Sequence, residues 1–261
     1  MRLTSRSRRF FVIVPIFVLV ATVISLVGIN EVVHADTPMT LAQYKADPAA
    51  MIEAYRKVEV ASVSDAMEQL LHGQHYMSHN MQAIFPTKFA GPAITVELVK
   101  DENHDPHALD GMLKAIDTGA AGSVYVMTIQ DGANIAGMGG IMGTAMRARD
   151  FQGAVIDGGV RDVGALKKIL FPVFSLGPVP STSVGHYRFQ ATNGSIMCDG
   201  VRVHSGDIVT ADQDGVVVVP RADAAEVLVR AQQLDFNEHT MYPYIDKFRS
   251  VEEAVSKFGR L

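Results

Sequence analysis

The chain has no Trp, a single Cys, 7% aromatic residues and 20% charged residues over 261 positions. With Cys198 alone, no intrachain disulfide can form, so the fold rests on its core in any redox compartment. No Cys pair stands at zinc spacing, and Gly-x-Ser-x-Gly, Walker and nucleic-acid-binding motifs are missing. Basic surplus is missing too. The 23 Lys+Arg face 28 Asp+Glu, and residues 1–35 hold four of the Arg (Arg2, Arg6, Arg8, Arg9) with one acid, Glu31, leaving 19 basic against 27 acidic residues, a net of −8. A polyanion-binding surface is therefore not expected, and nucleic acid is excluded as a partner.

What is present is the composition of a folded protein: 48% hydrophobic, 22 Gly and 11 Pro, without internal repeats or low-complexity stretches. Residues 1–35 read as an export signal. A basic start precedes an uncharged apolar run from Phe10 to Ile29, and Val33-His34-Ala35 supplies small or aliphatic residues before a cleavage site ahead of Asp36. An uncleaved membrane anchor is the alternative, since the run could just span a bilayer. Either way the remaining residues, 36–261, are expected outside the cytoplasm as a single domain, periplasmic or secreted, and are enough to bury a core.

The spacing predicts helix from Leu41 to about Val58, restarted at Pro48, and a further short helix capped by Ser64 or Asp65. From Phe89 onward, short β-rich runs (Ala93–Val99, Ser123–Ile129, Ala154–Ile156, Pro172–Ser175, Val201–His204, Val216–Val219) alternate with helical stretches. Those stretches are His107–Asp117, Ile141–Arg149, Val163–Leu170 and Ala222–Gln233. This alternation indicates an α/β layered domain with a mixed sheet.

The chemistry concentrates between Gly137 and Asp162. A Gly-rich turn (Gly137, Gly139, Gly140) opens a helix whose unblocked N–H groups suit a carboxylate or phosphate. Then Val155-Ile156-Asp157-Gly158-Gly159-Val160-Arg161-Asp162 reads as a buried strand ending in a Gly-Gly turn that presents Arg161 and Asp162 together, at the strand end where α/β sheets gather ligands. Arg161 offers a planar fork for a carboxylate, and Asp162 a hard oxygen ligand for Mg²⁺ or Mn²⁺. An alternative reading makes Asp162 the cap of the next helix and turns Arg161 to solvent.

The run GGVRD (158–162), the upstream GMGG (137–140) followed by Ala145, FPVF (171–174) and ADQDGVVVVP (211–220) together resemble the RraA-like / 4-hydroxy-4-methyl-2-oxoglutarate aldolase family over about Val60 to Glu238. Such proteins are often named demethylmenaquinone methyltransferases, but nothing in this sequence points to a methyl-donor site. The resemblance implies an α-β-β-α sandwich, phosphohistidine-domain-like, assembled as a homotrimer or hexamer with sites at subunit interfaces. It implies a metal-dependent lyase acting on a 2-oxo acid, aldolase or decarboxylase. Gly139, Gly140, Ile141 and Met142 would offer backbone N–H groups to the substrate carboxylate. Arg161 would hold the keto oxygen, and Asp162 the metal.

The chain departs from the family where aldolase-active members place an Asp twenty-one positions before the Arg, to orient a water that exchanges protons with the enolate. Gly140 stands there. Losing an acid/base group costs about 10²–10⁴-fold in rate. Asp131, just past a strand, is the nearest replacement in sequence, and is otherwise a turn residue. Glu238 aligns loosely with a Glu offered to a neighbouring subunit's site. A non-catalytic binding or regulatory protein and a lyase-derived enzyme of a specialised pathway are the alternatives to routine aldolase chemistry.

His72, His75 and His79, and separately His104-Asp105-Pro106-His107, raise the question of a transition-metal site. The first group reads as a solvated loop and the second as a helix start. Asp212 and Asp214 lack the downstream Gly and Glu of a Ca²⁺ loop and read as a turn. Cys198 reads as a small buried residue.

Overall fold

The computed structural model describes residues 38–259; the expected signal segment lies outside them. The helices and strands run α1 (Leu41–Ala46), α2 (Pro48–Tyr55), α3 (Val60–Leu71), β1 (Gln82–Ala83), β2 (Phe89–Lys100), α4 (Asp110–Thr118), β3 (Val124–Ile129), β4 (Ala136–Met138) and α5 (Gly140–Ala148). They continue as β5 (Gly153–Val160), α6 (Val163–Lys168), β6 (Val173–Pro178), β7 (Tyr187–Thr192), β8 (Ser195–Cys198), β9 (Val201–His204), β10 (Ile208–Asp212), β11 (Gly215–Val219), α7 (Ala224–Phe248) and α8 (Val251–Phe258). No helix among the described residues is long and apolar enough to cross a membrane.

The mixed sheet is ordered β1-β6-β5-β3-β2-β10-β11, with β4 on β5 and β7 on β2, while β8 and β9 form a separate hairpin. β2 belongs to two layers. Its first residues pair antiparallel with β10 (Phe89 with Ala211, Pro92 with Ile208), and its later ones pair parallel with β3 (Ala93 with Val124, Leu98 with Ile129).

The period-2 alternation of side chains then divides the apolar residues among three interfaces. Val124, Val126, Val155 and Phe174 face Val203, Val209, Val216 and Val218 between the β layers. Tyr125, Met127 and Ile156 point the other way, onto Ile116, Met142, Met146 and Leu166. Val217 and Val219 point away from the inter-sheet core, onto Val63, Met67, Leu228 and Ala231. The result is the mixed-sheet α/β layering expected from the strand and helix pattern, in the α-β-β-α sandwich that the family resemblance implies. The continuous Val216–Val219 run fits a strand buried on both faces.

Several local expectations are corrected. The helix expected to be capped by Ser64 or Asp65 begins at Val60, because its first amides are satisfied from a distance. Glu59 N–H donates to Asp235 Oδ1 and Val60 N–H to Asp212 Oδ2, both at 3.0 Å. Asp212 also accepts the Asp214 N–H at 3.0 Å, closing the β10–β11 turn. The helix expected to end at Gln233 runs on to Phe248, past an internal Pro243, because Leu234 and Met241 continue its buried face.

Gly158-Gly159 is strand, not turn, since β5 runs through to Val160. The glycines are there for packing: a Cβ on Gly159 would stand 2.1 Å from Val179 Cγ1, and one on Gly158 2.6 Å from Ile129 Cδ1. Gly137 likewise lies in β4, against Ile129 and Met127, so the Gly-rich turn reduces to Gly139-Gly140.

Candidate active site

β4 and β5 are parallel and end together, Ala136 beside Gly159 and Met138 beside Val160. Parallel strands open their carboxyl ends to one side, and here both next residues emerge there: Gly139-Gly140 from β4, Arg161-Asp162 from β5. Arg161 N–H donates to Met138 O at 3.0 Å, fixing the two exits to each other.

Asp162 then adopts the left-handed conformation, φ 55° and ψ 35°, a region costly for most residues but more accessible to Asp. It occupies the N-cap position of α6 without a side-chain capping bond. Its Oδ2 instead accepts the Gly140 N–H at 3.0 Å. The strained backbone thus aims the carboxylate at the start of α5 rather than of its own helix. Gly139 is required for this approach, because a Cβ there would lie 2.6 Å from Asp162 Oδ2 and 3.0 Å from Arg161 Cγ.

The amide of Gly140, expected to help hold a substrate carboxylate, is engaged by Asp162 in this structure. The first helical bond of α5 runs from Gly143 N–H to Gly139 O, so Ile141 and Met142 keep amides without a helical acceptor. Arg161 is exposed and reaches Ser181 O through Nη1 at 3.4 Å. Ser181 is itself tied down, accepting the Ala136 N–H at 3.0 Å and donating to Asn134 O at 2.9 Å.

These residues border a cavity of about 300 Å³. Gly139, Ile141, Met142, Arg161 and Asp162 form one side of it. Two further segments close it. Asp105 and Pro106 lead into α4, which contributes Met112 and Leu113, and the loop Thr182–Gly185 covers another flank. Sequence reasoning missed that loop; its only signal is a polar Ser-Thr-Ser run after Pro180, ahead of Gly185 at φ +81°.

Asp105 Oδ1 accepts the His107 N–H at 2.9 Å, and His107 Nδ1 pairs with Asp110 Oδ2 at 2.8 Å, which raises the His107 pKa above its ordinary value. The second histidine group therefore lies in the turn before α4, which begins at Asp110 and not at His107 as expected, with Asp105 on the cavity wall.

Asp131 does not border the cavity; it sits in the turn after β3 with φ 52°. Glu238 lies on α7, bonded to Tyr242, and lines a separate hollow with Met241, Tyr242 and Ile245. His75 is spent on His72 O at 3.1 Å. Among the described residues no three His, Cys, Asp or Glu side chains converge on a metal-sized point. Cys198 is fully buried, and burial, with the nearby Asp157 and Asp199, pushes its thiol pKa up.

A profile of the RraA-like family (Aldolase/RraA) matches residues 60–218. This chain belongs to the RraA-like family. Its relatives include a protein of Halalkalibacterium halodurans provisionally named 4-hydroxy-4-methyl-2-oxoglutarate aldolase, 28% identical over 189 residues, covering 70% of this chain and 82% of the relative. Among solved structures, an uncharacterized Pseudomonas syringae protein superposes with a TM-score of 0.72 at 26% identity, over 85% of this chain and 99% of the other. Streptomyces coelicolor RraAS2, described as an unusual member of the RNase ES inhibitor RraA family, superposes with a TM-score of 0.65 at 23% identity, over 77% of this chain and 96% of the other. The last of these speaks to fold alone.

Proposed function

We propose that this RraA-like chain is a divalent-metal-dependent lyase that breaks the C–C bond next to the 2-oxo group of an acid, with Arg161 and Asp162 at its centre. The observation that carries the reading is the joint placement of Arg161, Asp162 and the free α5 amides around one cavity. The provisional naming of the Halalkalibacterium halodurans relative as an aldolase supports it.

The donor set suits a hard cation. Asp162 is the carboxylate beside Arg161 and the α5 amides, no cluster of three such ligands surrounds it among the described residues, and Mg²⁺ is commonly held by one or two carboxylates, waters and substrate oxygens. When bound, Mg²⁺ or Mn²⁺ supplies Lewis acidity for negative charge developing at the 2-oxo oxygen.

The chain's own groups do the rest. The Ile141 and Met142 amides, at the positive end of α5, receive the substrate carboxylate. Arg161 places a fixed positive charge beside the oxygen on which the enolate forms. In a 4-hydroxy-2-oxo acid the C3–C4 bond breaks, the C4 hydroxyl loses its proton and becomes a carbonyl, and the bonding pair passes into a pyruvate enolate that takes a proton at C3. Loss of CO₂ from an oxaloacetate-like acid yields the same enolate. With Gly140 where the family acid stands, solvent water delivers that proton, and turnover is correspondingly slow.

Export after cleavage near Ala35 belongs to the same proposal, supported by the sequence of residues 1–35. So does assembly into a homotrimer or hexamer, supported by the exposed Phe236, Tyr242, Phe248 and Val251 near Glu238 on the C-terminal helices. One observation, Gly140, favours a second reading as a non-catalytic binding protein.

The deciding experiment is pyruvate release from 4-hydroxy-4-methyl-2-oxoglutarate and oxaloacetate, with Mn²⁺ or EDTA, by the wild type, Arg161→Ala and Asp162→Ala. Metal-dependent turnover lost in both variants is expected. No turnover above the free-metal rate would favour the binding reading.

A further inference from the structure

The lining of the cavity is of two chemical kinds. Arg161, Asp162 and the α5 amides supply polar groups, and Met112, Leu113 and Val184, on the two segments that close it, present apolar side chains, as does Ile141 at the start of α5. Among the described residues that line it, Arg161 is the only cationic side chain, and the remaining charged ones, Asp105, Asp110 and Asp162, are acidic. Three of the apolar residues come from separate elements and stand open to solvent: Ile141 is 86% exposed, Val184 65% and Leu113 43%. Single exposed apolar residues are ordinary, but three around one mouth form a patch with a use.

We infer that the cavity takes a 2-oxo acid whose far end is an apolar group, in preference to a second carboxylate. The inference rests on the lyase reading for the position of the substrate's head, with the 2-oxo acid group on Arg161 and the α5 amides. That placement commits the single cation. A second carboxylate pushed along the cavity would lose water against Met112, Leu113 and Val184 with no cation to meet it, and would approach the acidic Asp105 and Asp110. An alkyl or aryl group in the same place removes apolar surface from water on both partners.

The test is calorimetric titration of the full-length protein with Mn²⁺, comparing 2-oxoglutarate with 5-methyl-2-oxohexanoate, in which an isopropyl group replaces the distal carboxylate at the same chain length. The apolar acid is expected to bind at least about tenfold more tightly. Leu113→Lys, on the exposed face of α4, is expected to shift the ratio toward the diacid by strengthening its binding and weakening that of the apolar acid.

Equal or tighter binding of 2-oxoglutarate by the wild type overturns the inference, as does binding of neither acid, or a ratio unmoved by Leu113→Lys. Pyruvate release from 4-hydroxy-2-oxo acids with the same two ends separates this from the lyase reading. Turnover that favours the diacid removes the tail preference alone, whereas tighter binding of the apolar acid without turnover of either supports the preference and removes the lyase.

Discussion

The carboxylate of Asp162 accepts the backbone N–H of Gly140 at 3.0 Å, joining the two glycine-containing motifs that frame the cavity. The bond links the start of one helix to the residue before another, and the left-handed backbone of Asp162 aims the side chain there.

Asp162→Asn is expected to keep this link, because an amide oxygen also accepts, while losing the charge that would attract a divalent cation. Melting temperature should stay near the wild type, while Mn²⁺ binding followed by electron paramagnetic resonance is lost. Asp162→Ala should lose both the metal and about 1 kcal/mol of stability.

Arg161→Ala should lower kcat by about 10²–10³-fold, the usual effect of removing one preorganised stabiliser of developing negative charge. Arg161→Lys should restore only part of this, since a point charge does not reproduce the guanidinium fork. Steady-state pyruvate release checks both.

Two glycine variants should fail differently. Gly159→Ala puts a methyl 2.1 Å from Val179 Cγ1 and 3.0 Å from the Ile135 carbonyl oxygen inside the sheet, and should cost about 1–3 kcal/mol in urea denaturation. Gly139→Ala meets the movable end of Asp162 at 2.6 Å, so it should weaken Mn²⁺ binding more than stability.

Gly140→Asp tests the departure from the aldolase pattern directly. Its Cβ would stand 3.3 Å from Ala165 Cβ and 3.4 Å from Asp162 Cβ, a fit needing only small adjustment. Pyruvate release should rise by about 10²–10⁴-fold as an acid/base group returns beside Asp162.

Asp157 offers a pH test away from the cavity. Burial raises its pKa, although its Oδ2 accepts the Asp199 N–H at 2.8 Å. A carboxyl with a raised folded pKa contributes its stability below its ordinary pKa and loses it as pH rises through the folded value. Asp157→Asn keeps the acceptor without the charge, so it should raise the melting temperature at pH 7, with the gain vanishing as pH falls below 3.8.

The layered fold was legible because Val124–Ile129 and Val216–Val219 are apolar on both faces, and the intervening helices carry a 3.6-residue pattern. The lengths of β5 and α3 were not. Gly158 and Gly159 look like a turn until Ile129 and Val179 are seen packed against them, and the start of α3 is set by Asp212 and Asp235, far along the chain. At the site, Arg161 and Asp162 were readable as neighbours, but the hydrogen bond that uses up the Gly140 amide depends on one dihedral angle at Asp162. The Thr182–Gly185 flank carries no residue whose type announces a site.

The double membership of β2 also joins near and distant parts of the chain in one strand. Pro92 must find Ile208 before the second layer closes, whereas its partners in β3 lie nearby in the chain. Closing so long a loop costs entropy before the contact rewards it, so the β10–β11 layer is expected to gain protection after the parallel layer carrying Gly139, Arg161 and Asp162 in pulse-labelled hydrogen exchange during refolding.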